Sequence, residues 1–273
     1  MIYLDNAATT KPCDEAKAAV MKGLEVFGNP SSLHRAGLDA ELLVSDAREI
    51  IADALGVTPD EVYFTSGATE SNNTAIFGAY KAHGKRKKRV VISSVEHPAV
   101  KNPAQELEDM GCEVIRISPD ENGEINARDI FAAVNEDTFL VSCMLVNNEN
   151  GYILPVEKAF SMIKKKYPQV LTHCDCVQGF MKIPVKAKKL NADMISLSGH
   201  KIYAPKGIGA LYVKKGVHIP PFMLGGGQEK GFRSGTESVP LICGFGAAVK
   251  KLAPNVSENF EKAAQVQSYL IEK

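Results

Sequence analysis

The sequence predicts an α/β fold: a mostly parallel, seven-stranded sheet flanked by helices. Two observations carry this. From about residue 60 onward, short β-branched or apolar runs alternate with amphipathic segments. The runs are apolar and bounded by helical stretches, as expected of strands covered on both faces of a parallel sheet. The 273 residues, 45% hydrophobic and 23% charged, suffice for one large α/β domain or two smaller ones around a substantial core.

The first strand is expected over residues 61–65 (EVYFT), followed by a helix over 70–82. A second strand, RVVIS at 89–93, precedes a helix over 99–110. Strands then follow at 112–117 and 139–146, and a helix over 156–166 leads to the strand at 170–174. Residues 194–198 and 209–213 complete the seven. In such sheets ligands bind beyond the carboxyl ends of the strands, so the residues just after each run matter most. At the C-terminal end, Ser257 is expected to cap a helix with apolar Phe260, Ala263, Ala264, Val266, Leu270 and Ile271. That pattern alone fits equally a helix docked on the domain and the beginning of a second one.

Bulk properties exclude several classes. Lysine plus arginine equal aspartate plus glutamate at 32 each, which gives no general pull toward nucleic acid or an acidic membrane. The one basic run, Lys85 to Arg89, follows a helical stretch, where cations suit the helix dipole. No apolar stretch has the roughly 20 residues needed to cross a bilayer, and MIYLDNAATT is no secretory leader. A cytoplasmic protein is expected, with its six scattered cysteines as free thiols.

Four segments at predicted strand ends carry chemistry. In Ser198-Gly199-His200-Lys201, partial burial at a sheet rim disfavours the charged lysine and leaves an amine able to condense with an aldehyde. A lysine after a strand is, by itself, more often surface decoration. Thr65-Ser66-Gly67-Ala68-Thr69-Glu70 turns a strand into a helix whose free N–H groups suit an anion; the plain alternative is an N-cap with a nearby glutamate. In Cys174-Asp175-Cys176-Val177-Gln178, alternation sends Asp175 to one side, to pair with a protonated ring nitrogen, and both cysteines to the other. No second cysteine pair stands at metal-ligand spacing, which favours core packing for Cys174 and Cys176 over a redox or metal role. In Val95-Glu96-His97-Pro98, His97 is suited to stacking on a flat cofactor or moving protons, and equally to capping a helix. Asn147 to Gly151 adds amides at the same rim, in a composition that also favours a plain turn. A phosphate on the Gly67 to Thr69 loop, a carbonyl on Lys201 and a pyridinium on Asp175 describe one ligand, pyridoxal 5'-phosphate.

The chain resembles the cysteine desulfurases, of aminotransferase class V within the fold-type I pyridoxal-phosphate enzymes. The segments that carry the resemblance are YLDNAATT, GNPSSLHR, TSGATESNN, VEHPAV, VNNE, D-x-V-Q at 175–178, SGHKIYAPKG and GGGQEKGFRSGTES, in that order along the chain. The resemblance implies a Schiff-base role for Lys201, ring stacking for His97, the pyridinium partner in Asp175 and the phenolic-oxygen partner in Gln178. It implies phosphate contacts from Ala68, Thr69, Ser198 and His200, a contact from Thr236 to a partner subunit's phosphate in a homodimer, and a substrate contact from Asn148. L-cysteine would be the substrate, and an iron–sulfur scaffold or tRNA-thiolation enzyme the sulfur acceptor, with no direct nucleic-acid or membrane partner. KIYAPKG and RSGT resemble the branch serving iron–sulfur assembly or tRNA thiolation. Ala204, where glycine is usual, and Asn150 depart from the pattern without replacing a chemical group. No family role carries over to Cys174 or Cys176. The resemblance also implies a division into residues 1–14 as part of a small domain, 15–256 as the large cofactor-binding domain, and 257–273 as the beginning of a truncated C-terminal small domain. No S-x-A-C-like loop bearing a nucleophilic cysteine follows Ser257, so this chain is expected to bind cofactor with little or no desulfurase turnover. Another class V enzyme (a selenocysteine lyase or aminotransferase) and a non-catalytic cofactor-holding module are the alternatives.

Overall fold

The computed structural model describes residues 2–272. Two helices come first: α1 (Asp14–Glu25) and the long α2 (Arg35–Leu55), which Gly56 ends in the left-handed conformation with φ 70°. The sheet and its crossovers follow as β1 (Val62–Thr65), α3 (Ala68–His83), β2 (Arg89–Ser93), α4 (Pro98–Asp109) and β3 (Glu113–Ile117). Then come α5 (Ala127–Ala132), β4 (Thr138–Ser142), α6 (Val156–Lys166), β5 (Leu171–Asp175), α7 (Ala187–Leu190), β6 (Met194–Ser198) and β7 (Gly209–Val213). Helices α8 (Val239–Leu252) and α9 (Val256–Glu272) close the chain.

The seven strands form one sheet in the order β1-β7-β6-β5-β4-β2-β3. Six strands point the same way, and β7 alone is reversed, antiparallel to both its neighbours β1 and β6. Every residue of β4, β5, β6 and β7 is buried, as expected of strands covered on both faces. One face packs on Ile51, Leu55, Phe160 and Phe245 from α2, α6 and α8. The other packs on Ile76, Ala79, Leu107 and Ala104 from α3 and α4.

The α/β architecture and the mostly parallel seven-stranded sheet are as the sequence predicts, with three corrections. The strand expected over 139–146 ends at Ser142. Beyond it the chain parts from β2, where the buried Glu96 carboxylate takes the Met144 N–H at 2.7 Å, while Cys143 and Leu145 still donate to the His173 and Asp175 carbonyls of β5 at 3.1 and 2.9 Å and Val146 forms an isolated bridge with Ile153. The final helix starts at Val256, directly after a turn of 3₁₀ helix over Ala253–Asn255, so Ser257 lies inside it and caps nothing. The helices α1, α2 and α8, absent from the sequence reading, pack on one another and cover one face of the sheet.

Candidate functional site

The carboxyl ends of β4, β5 and β6 open into a cavity of about 570 Å³. Nine of the ten predicted site residues line it: Ala68, Thr69, His97, Asn148, Asp175, Gln178, Ser198, His200 and Lys201. The tenth, Thr236, is exposed and lies outside the cavity of its own chain.

Lys201 leaves β6 through a single 3₁₀ turn, Gly199–Lys201. Its Nζ donates to the Ala7 and Ala8 carbonyls at 2.6 and 2.8 Å. Burial lowers its pKa below the ordinary lysine range, while the charges of Asp5 and Asp175 resist the shift. The N-terminal strap is therefore a wall of the site. Thr10 N and Oγ1 both reach the His200 carbonyl at 2.9 Å, and Thr9 Oγ1 lies 3.1 Å from His200 Nδ1.

Asp175 ends β5, only 5% exposed. Its two oxygens accept from the Val177 N–H at 3.0 Å and from Asn72 Nδ2 at 2.8 Å. Burial raises its pKa; those two hydrogen bonds and the charges of His97 and Lys201 pull the other way. A cation placed before this carboxylate stabilises its charged form. Cys174 and Cys176 point to the opposite side, with sulfurs 3.4 Å apart and neither exposed to solvent. They are core, as their alternation with Asp175 predicts, and no cluster of metal-ligating side chains occurs among the described residues.

The loop between β1 and α3 is built around two glycines. Gly67 has φ 153°, and a Cβ there would point into open space. A Cβ on Gly209 would meet Gly67 Cα at 2.8 Å, so the loop lies directly on β7. Helix α3 has no side-chain cap at Gly67, leaving its first N–H groups to face the cavity beside Thr69. Glu70 instead folds back, accepting from Ser66 N at 2.9 Å and from Arg233 Nε at 2.7 Å. Burial alone would raise the Glu70 pKa, but the Arg233 and Ser66 hydrogen bonds outweigh it and hold the carboxyl below its usual value. This pair ties the segment containing Thr236 to the rim. Arg48 and Glu229 tie the same segment from below, through two contacts of 2.7 and 2.8 Å.

His97 does both things its position allows. Its Nδ1 accepts from Ala99 N at 3.1 Å, capping α4, and its ring lines the cavity. Beneath it Glu96 is 1% exposed, hydrogen-bonded to Ser93 Oγ and the Met144 N–H, with Oε2 lacking a partner. Burial pushes its pKa up to about 8, so it is protonated at neutral pH. Asn72, Glu96, Glu70, Arg233 and Lys182, which donates to Gln178 Oε1, were not singled out as site residues in the sequence. Asn72, Glu96, Glu70 and Arg233 stand inside quoted motifs, but Asn72 and Glu96 have partners 103 and 48 residues away, and Glu70 and Arg233 pair across 163.

The uncapped helix, the half-buried amine and the buried carboxylate on one rim fit the three reacting parts of pyridoxal phosphate. Comparison with known proteins gives the family. The chain is 42% identical to "Cysteine desulfurase IscS" of Dictyoglomus turgidum over 271 residues, 99% of this chain and 68% of that one. A solved structure described as a NifS-like protein superposes with TM-score 0.96 at 40% identity, covering 99% of this chain and 74% of its own. A second, described as SspA in complex with cysteine, gives 0.89 at 39% identity over 92% of this chain and 73% of its own. The family model for class V aminotransferases matches residues 2–273. With that span matched and desulfurases at this identity, the chain belongs to the class V aminotransferase family.

Proposed function

We propose that this chain holds pyridoxal 5'-phosphate and serves the conversion of L-cysteine to L-alanine, with the sulfur leaving as an enzyme persulfide. The observation that carries this reading is the meeting of Lys201, Asp175 and the uncapped start of α3 in one cavity. Ala68, Thr69, Ser198 and His200 would hold the phosphate, Asp175 the ring nitrogen, Gln178 the phenolic oxygen and His97 the ring face. Lys201 would carry the covalent link. When bound, the cofactor supplies an electron sink for bond breaking at the substrate Cα.

The chain's own residues divide the remaining work. Lys201 Nζ, whose pKa burial has lowered, takes the Cα proton. Asp175, held by Asn72 and Val177, fixes charge opposite it. Asn148, at the cavity wall, orients the substrate carboxylate. The sulfur then passes to a cysteine thiolate. None of the six cysteines lines the cavity, and burial pushes the thiols of Cys112, Cys143, Cys174 and Cys243 up, away from nucleophilic behaviour. These 273 residues alone are therefore expected to bind cofactor without turnover.

A homodimer is supported by apolar side chains left uncovered around α1 and α2, with Phe27 and Leu33 90% and 94% exposed. In that dimer Thr236 reaches the partner's phosphate. Residues 1–14 and 257–273 belong with a small domain, 15–256 with the large one; exposed Val266, Leu270 and Ile271 on α9 support that division. No described helix is long and apolar enough to cross a membrane, which is compatible with a cytoplasmic setting. An iron–sulfur scaffold or tRNA-thiolation enzyme would be the sulfur acceptor.

Pyridoxal phosphate added to the purified chain is expected to give a visible absorbance band that Lys201→Ala abolishes. L-cysteine should then yield little or no alanine. A Lys201→Ala protein with an unchanged band would sink the assignment.

A further inference from the structure

The segment after β5 contains an ammonium that the proposed chemistry does not use. Lys182 Nζ lies 2.5 Å from Gln178 Oε1, and Gln178 Nε2 donates to the Ala7 carbonyl at 2.9 Å. These two contacts settle which way the amide points. An ammonium only donates, so the atom facing it is the carbonyl oxygen; a backbone carbonyl only accepts, so the atom facing Ala7 is the nitrogen. One Nε2 proton is thereby spent on Ala7, and the second remains for the cavity that Gln178 lines.

The backbone is shaped to bring Lys182 there. Gly179 and Phe180 both donate to the Cys176 carbonyl, at 3.0 and 2.7 Å, and Lys182 and Ile183 donate to Gly179 at 3.1 and 3.0 Å. Between them Met181 is left-handed, with φ 59°, a conformation that disfavours a non-glycine residue. The partner of Lys182 is a neutral amide, and its strongest charged neighbour is another ammonium, Lys201. Burial first, and Lys201 second, bring its pKa down to about 8. His200 also feels its charge, while the carboxylates of Asp5 and Asp175 act on Lys201. A stem whose only need is solvation gains nothing from this placement.

We propose that Lys182 is a positioning residue: it clamps the Gln178 carbonyl so that the amide presents its remaining N–H, polarised by the adjacent charge, to an oxyanion in the cavity. Resting on the cofactor reading, that oxyanion is the phenolic oxygen of pyridoxal phosphate. Without the clamp only the Ala7 carbonyl opposes a turn of the amide that would set an oxygen lone pair against it.

The first test needs no cofactor. In the chain alone, the Gln178 side-chain amide resonances should titrate with Lys182, with a midpoint near 8, and Lys182→Met should abolish that titration. Resonances that titrate identically in the variant would overturn the proposal. With cofactor, Lys182→Met should weaken binding about tenfold and Lys182→Arg should recover most of it. In a Gln178→Ala background Lys182→Met should add nothing, since the two act as a unit. Additive losses would overturn the proposal too. A native chain with no visible band would sink the cofactor reading alone, with the amide titration still deciding the role of Lys182.

Discussion

His173 and Asp175 stand two residues apart on β5, facing the same side of the sheet, and neither is more than 5% exposed. Both have pKa values displaced by burial: His173 is pulled down to about 3 and Asp175 is pushed up. Their surroundings differ. The His173 ring is held between Ser142 Oγ at 2.8 Å and Ser196 Oγ at 2.9 Å, on the strands either side, so both nitrogens are satisfied. Asp175 has one hydrogen bond on each oxygen and opens onto the cavity. A displaced pKa marks burial in both; unspent hydrogen-bonding capacity facing a cavity marks the functional one.

The largest expected effect separates the two residues. Asp175→Ala should weaken cofactor binding by about a hundredfold or more, through loss of a charge-paired hydrogen bond, and change stability by roughly 1 kcal/mol or less. His173→Ala should do the reverse. It leaves two buried serine hydroxyls without a partner and a void between strands, costing about 2–4 kcal/mol, while folded protein still takes up cofactor. Urea midpoints and spectroscopic titrations of both variants measure this; equal losses in both assays would break the contrast.

A smaller effect sharpens it through pH. With a folded pKa of about 3 against 6.5 in the unfolded chain, His173 contributes stability above pH 6.5 that is lost as pH falls toward 3. Glu96, near 8 when folded against 4.5 unfolded, contributes stability below pH 4.5 that is lost as pH rises toward 8. Urea midpoints followed from acid to neutral pH should therefore lose part of their acid slope in His173→Ala. An unchanged slope would show that the ring is not buried neutral.

The smallest effect is at Glu96. Glu96→Gln preserves an acceptor for Ser93 and Met144 and replaces a carboxyl already protonated at neutral pH. It should shift stability at pH 6 by about 0.5 kcal/mol or less and flatten the loss toward pH 8. A cost of several kcal/mol would mean that Glu96 is charged in the fold.

Much of this molecule was legible in its residues, for reasons that differ by region. The strands β2, β6 and β7 match their expected spans because each is a short apolar run stopped by polar or glycine residues. The strand ending at Ser142 was overrun because the next four residues, Cys143 to Val146, are equally apolar. On the β2 side the pairing stops where the Met144 N–H donates instead to a glutamate 48 residues earlier. Helix α2 carried its own signal, with Ala40, Val44, Ala47, Ile51 and Leu55 at helical spacing before the glycine cap. Helix α8 was harder, since valine, isoleucine and two glycines dilute its pattern. At the site, residues aligned by strand ends were found, and the polar partners behind them were not. Arg48 with Glu229 and Arg233 with Glu70 are joined across 181 and 163 residues, and no local pattern announces such pairs.

The strap formed by residues 7 to 10 bears on how the protein is made. Lys201 finds its acceptors 194 and 193 positions earlier, so they are synthesised well before it. At about 5–20 residues per second of translation, those alanines wait roughly 10–40 s for their lysine. The sheet can assemble in the interval, but the cavity is walled only after both distant stretches have emerged, making its closure a late event in biogenesis.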